Sequence, residues 1–109
     1  MANSKNIVKI KEVNNNIVFN QIKIENYEEE IKTAQKDLQD QLKYLKSLIE
    51  KASKITQQGR RKNTLEGLRE EVKEAKEDSK LVIADYKKSI SEYKRYLKSD
   101  LNKLNKLTK

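Results

Sequence analysis

The stretch IKEVNNNIVFNQIKIENYEEEIKTAQKDLQDQLKYLKSLIEKASKI, residues 10–55, decides the fold. With Ile10 at position a of a heptad, the a and d positions are Ile10, Val13, Ile17, Asn20, Ile24, Tyr27, Ile31, Ala34, Leu38, Gln41, Leu45, Leu48, Ala52 and Ile55. Twelve of these 14 are apolar, where a composition of 35% hydrophobic residues would give about five. An apolar repeat of this period lays one stripe along one side of a helix, so the spacing predicts a helix over about residues 8–57. At 1.5 Å per residue such a helix is roughly 70 Å long. Leu42 and Ile49 at e and Tyr44 at g widen the stripe, as on a helix with more than one neighbour.

The opening of this helix has a competing reading. Ile7, Val8, Ile10, Val13, Ile17, Val18 and Phe19 are β-branched or aromatic and surround Asn14-Asn15-Asn16, a pattern that also suits two short strands joined by an Asn turn. The heptad phase favours helix, because it runs back through Ile17 to Ile10 without a slip.

Downstream, stop and start signals meet at Gln57-Gln58-Gly59-Arg60-Arg61-Lys62-Asn63. Gly59 suits the left-handed residue that ends a helix, and Asn63 suits an N-cap with Glu66 closing a capping box. The expected turn is residues 58–63. A connection this short makes the flanking helices antiparallel neighbours. The second helix is expected over about residues 64–107, on the stripe Leu65, Leu68, Val72, Ala75, Ser79, Val82, Tyr86, Ile90, Tyr93, Leu97, Leu101 and Leu104. Its spacing changes to four and four at Tyr93, Leu97 and Leu101, a phase change that straightens a supercoil. Gly67 falls early in this helix, where either close approach of a neighbouring helix or simple tolerance of a glycine near a helix end accounts for it. The acidic first half (Glu66, Glu70, Glu71, Glu74, Glu77, Asp78) and basic end (Lys94, Arg95, Lys98, Lys103, Lys106, Lys109) complement a helix dipole and offer pairs such as Glu70 with Lys73 and Glu77 with Lys80.

These readings give an all-α class: one domain, residues 1–109, of two long antiparallel helices in a hairpin. A lone hairpin has one seam and buries little apolar area per residue, so the expected state is a four-helix bundle or coiled coil completed by a partner, a homodimer or a different subunit. Ile24, Ile31, Leu38, Leu45, Leu48, Tyr86, Tyr93 and Leu97 are the residues expected to bind it.

Composition narrows the function. With no His and no Cys, the chain lacks the commonest general base and metal ligand as well as thiol chemistry; no catalysis, cofactor or metal site is expected. No run approaches the roughly 20 apolar residues of a membrane span, and residues 1–6 do not open a cleavable signal peptide, which places the chain in the cytoplasm by expectation. The net charge of +8 raises nucleic-acid binding as an alternative, but the 25 basic residues include only four Arg and the aromatics fall largely on the helix stripes, so this alternative is not favoured.

A cysteine-free hairpin of this length carrying Tyr96-Leu97-Lys98-Ser99-Asp100 near its end resembles the WXG-type helical hairpin proteins of type VII secretion. In that superfamily a Trp-x-Gly turn joins the helices, and a Tyr-x-x-x-Asp/Glu signal near the end of the second helix directs export. Tyr96 and Asp100 match the spacing and the location. At the turn, Gln57-Gln58-Gly59 keeps the glycine without the tryptophan and lies past the midpoint of the chain. The resemblance is therefore closer to the small hairpin partners that bind the helical N-terminal domain of LXG toxins, where a different subunit can supply the turn half of a composite signal. It implies a targeting factor or chaperone with Tyr96 and Asp100 as export motif, and co-export with the toxin. A structural coiled-coil or bundle subunit of phage or cell-division type is the alternative.

Overall fold

The computed structural model describes residues 4–109, with side chains from Asn6 onward; residues 1–3, part of the segment read for a leader, lie outside the described residues. Two helices account for nearly all of it, α1 at Ser4–Ala52 and α2 at Gln58–Thr108. No strand occurs among the described residues, so the Asn14-Asn15-Asn16 segment is helix. Val13 and Ile17, one turn apart, are both 8% exposed, while the three asparagines between them face solvent. Absence of proline and an abundance of Lys, Glu, Leu and Gln let both helices run about 50 residues without a break.

The connection lies five to six residues earlier than the sequence suggested. α1 ends at Ala52 and α2 begins at Gln58, not near residue 64. Gly59 does not adopt the left-handed conformation, since no described residue has positive φ; it is the second residue of α2. Asn63 is an exposed helical residue and not an N-cap. The end of α1 is closed by other means. The amides of Lys54 and Ile55 donate to the carbonyls of Lys51 and Ala52 at 3.2 and 3.1 Å, a tightened last turn. The Ser53 hydroxyl donates to the Glu50 carbonyl at 2.6 Å, and the Arg61 guanidinium reaches back to the Ile55 carbonyl at 3.3 Å. With those carbonyls satisfied, no glycine is needed at the stop. α2 then starts where the Arg61 amide bonds the Gln57 carbonyl at 2.9 Å.

This earlier start alters two further expectations. The first turn of α2 holds no acidic residue and its last turn holds only Lys106, so the charge gradient along α2 is mostly too far from the ends to act on the dipole. Gly67 lies ten residues into the helix and a Cβ built there meets nothing within 4 Å, so close helix approach is not its reason. Neither Glu70 with Lys73 nor Glu77 with Lys80 forms an ion pair.

The chain divides into two compact units, a terminal unit of residues 4–30 with 85–109 and a central unit, Ile31–Ala84. In the terminal unit α1 and α2 pair antiparallel: Asn20 bonds Asp100, and Tyr27 packs against both Tyr86 and Tyr93. Its seam buries Val13, Ile17, Asn20, Ile24, Ile90 and Asp100. The central unit holds the connection, and its seam buries Leu45, Ala52 and Ala75, with Ile31, Leu38, Leu48, Leu65, Leu68 and Val72 half-buried.

The stripe on α1 follows the heptad, with one substitution: Gln41 is exposed and Leu42 is half-buried in its place. On α2 the phase change occurs, but earlier than the sequence indicated. Leu65, Leu68, Val72, Ala75 and Ser79 keep the three-four spacing, Val82 is then 43% exposed while Ile83 turns inward, and from Tyr86 the buried and half-buried positions run Ile90, Tyr93, Leu97, Asp100, Leu104, Leu107. The seam thus passes through Asp100 and leaves Leu101 43% exposed.

Candidate functional interface

Asp100, one of the two residues expected to form an export motif, is not on the surface. It is 8% exposed at a seam position and accepts a hydrogen bond of 2.9 Å from the side-chain amide of Asn20, which is 5% exposed. Lys103 approaches its other oxygen at 4.0 Å. A carboxylate is tolerated here because a donor from α1 is built into the facing position and a lysine covers the solvent side. A paired polar position in an apolar seam selects one register, since sliding either helix by a turn would leave both groups unsatisfied. Tyr96 behaves differently: it is 53% exposed. The two residues share a helix face only loosely, Asp100 pointing into the seam and Tyr96 standing on its flank.

Around Tyr96 lies an aromatic cluster that takes up five of the six aromatic residues of the chain. Tyr27 sits between Tyr86 and Tyr93, with ring centroids 5.9 Å from each. Tyr93 in turn meets Tyr96 edge-on at 5.7 Å and Phe19 at 6.4 Å. Such contacts contribute about 0.5–1.5 kcal/mol each beyond the area they bury, and they fix the rings at the margin of the seam. Phe19 and Tyr96 are each about half exposed, and the Lys23 ammonium lies 5.6 Å from the Phe19 ring centroid.

The residues expected to bind a partner line the seam within the chain. Ile24 and Leu45 are buried, and Ile31, Leu38, Leu48, Tyr86, Tyr93 and Leu97 are half-buried. An isolated helix cannot reduce Leu45 to 3% exposure, so it is the facing helix of the same hairpin that covers these side chains. The apolar groups left to the solvent lie elsewhere. Val18, Phe19 and Ile22 are 52%, 52% and 49% exposed and follow one another around the outer arc of α1, at heptad positions b, c and f. All three are apolar residues outside the a/d stripe of the sequence.

The central unit has a different surface. Its small seam residues Ala34, Ala75 and Ser79 leave a groove of about 380 Å³ whose rim carries Asp37, Glu71, Glu74 and Asp78 and no cation. The Ser79 hydroxyl is buried there and has no hydrogen-bond partner among the described residues. No three His, Cys, Asp or Glu side chains among the described residues are grouped to hold a metal ion, and no described helix is long and apolar enough to cross a membrane.

Two open hollows flank the last turns of α2. One, of about 420 Å³, is lined by Arg95, Lys98, Ser99, Asn102, Lys103 and Lys106. The other, of about 410 Å³, shares Lys103 and Lys106, adds Lys9 from α1, and has Asp100 in its wall. Set beside known proteins, the chain matches no family model, no curated protein and no solved structure.

Proposed function

We propose that the chain is a non-enzymatic helical partner, a targeting factor or chaperone that binds the helical N-terminal domain of a type VII secreted toxin and contributes to its export signal. The observation that carries this reading is the apolar surface outside the seam: Val18, Phe19 and Ile22 on the outer arc of α1, with Tyr96 beside Phe19 across Tyr93. Contiguous exposed apolar side chains are costly on a free protein and mark a surface that another protein covers. Each unit is one pair of helices, and among the described residues no large side chain is completely buried, which is what a four-helix bundle with a second hairpin would remedy.

Within this reading the two motif residues divide the work. Tyr96 is the group a receptor can touch, a rigidly held ring and hydroxyl on a helix flank. Asp100 is a positioning residue, which sets the register that presents Tyr96. The test is co-expression with the toxin and measurement of its export. Tyr96→Ala is expected to leave the helical content intact and to abolish export; undiminished export with this variant would reject the signal role.

A further inference from the structure

We propose that the basic end of α2, from Arg95 to Lys106, is a docking surface for an acidic amphipathic helix of another protein, with Tyr96 as its apolar anchor. The inference rests on the helical-partner reading above and specifies the partner's chemistry. Four cations and no carboxylate line the outer hollow. Among the described residues Arg95, Lys98 and Lys106 make no ion pair, and Lys103 only approaches the Asp100 oxygen at 4.0 Å. Arg95 with Lys98 and Lys103 with Lys106 are like charges three residues apart, a spacing that destabilises a helix unless something else compensates. The dipole does not, because its influence is confined to the last turn and only Lys106 lies there.

The adjoining groups point to a helix. Tyr96 precedes Ser99 by three residues and Lys103 by seven, so it lies on the same side of α2 as two residues of the basic hollow. Phe19, half exposed, meets the same Tyr93 ring as Tyr96. A partner helix with an apolar stripe and acidic flanks would cover the aromatic pair and neutralise the lysines together. A nucleic-acid backbone would satisfy only the cations, and the surface offers a single arginine. An anionic membrane would need apolar groups on the outward arc, where Arg95, Lys98 and Asn102 stand instead.

The test is a titration of the full-length chain, followed by amide NMR shifts, with a synthetic helical peptide carrying leucines at i, i+3 and i+7 and Glu on both flanks. Shifts are expected to concentrate in residues 95–106 and at Phe19, with affinity falling steeply as salt is raised. Lys98→Glu with Lys106→Glu should weaken binding by about tenfold or more, while Lys73→Glu with Lys76→Glu, on exposed positions of the central unit, should not. Tyr96→Ala should weaken binding and leave its salt dependence unchanged. Shifts spread over both units, equal losses in the two charge-reversed variants, or tighter binding to single-stranded RNA or phosphatidylserine vesicles than to the peptide would overturn the surface. The two readings also fail separately. A toxin domain that binds the chain equally well after Lys98→Glu with Lys106→Glu overturns this surface alone, whereas no binding to any toxin domain, with the peptide still seated on residues 95–106, overturns the secretion reading alone.

Discussion

The terminal and central units are built on the same repeat and filled in opposite ways. Among the described residues the terminal unit buries six, including the Asn20 and Asp100 pair, and adds an aromatic cluster; the central unit buries three, two of them alanines. Seven-residue periodicity brings two helices together in either case, but side-chain volume determines whether the seam closes. Where Tyr27, Tyr86 and Tyr93 meet, the space is taken up by rings; where Ala34, Ala75 and Ser79 meet, an acidic groove is left. A regular stripe in a sequence therefore specifies pairing more firmly than it specifies packing.

The largest effect expected on this contrast is from Leu45→Asp. Leu45 is the one large aliphatic side chain buried in the central unit, so a charge there has no counterpart and should cost about 4 kcal/mol. Thermal melting followed by circular dichroism should show loss of cooperative unfolding near room temperature. A melting point within a few degrees of the parent would mean that the central seam is looser than its burial indicates.

Next in size is the polar pair of the terminal unit. Asn20→Leu should cost about 3 kcal/mol, because the Asp100 carboxylate would keep its burial and lose its donor. Combining it with Asp100→Leu should recover most of that loss while admitting a second register, seen as doubled amide resonances. In a urea double-mutant cycle the coupling should exceed about 1 kcal/mol. Two additive, nearly silent single changes would remove the pair as a register device.

Smallest is the effect of the glycines, and its sign is informative. Gly67→Ala should stabilise the central unit by about 1 kcal/mol and Gly59→Ala by less, since both are helical, neither has positive φ and an added Cβ meets nothing within 4 Å. Destabilisation by Gly59→Ala would return that residue to a left-handed turn. Native-state hydrogen exchange, which resolves the two units, is the measurement that locates the gain.

Both helices, their pairing and most seam positions could be read from sequence, since the stripe on α1 is continuous and only Gln41 fails it. The connection could not be. Glycine is the stronger punctuation, and the actual stop depends on Ser53 and Arg61 reaching particular carbonyls, which no single-residue preference encodes. The seam position of Asp100 was not legible for a related reason. Reading by hydrophobicity prefers Leu101 for the seam, and the carboxylate belongs there only because Asn20 faces it across the hairpin. The candidate interface was legible only in part: Tyr96 stands out by its spacing to Asp100, whereas Val18 and Phe19 suit a short strand as well as a helix face and Ile22 lies off the stripe.

The Asn20 to Asp100 bond joins residues 80 positions apart, and this separation has a consequence for synthesis. Translation at about 5–20 residues per second separates the appearance of these two residues by roughly 4–16 s. The central unit, whose contacts are more local, can form within that interval, whereas the first 30 residues emerge with Val13, Ile17 and Ile24 uncovered and must wait for the last 25. During those seconds the nascent stripe is open to any helix already present, so a partner made nearby competes with α2 for the same groove before the chain has closed on itself.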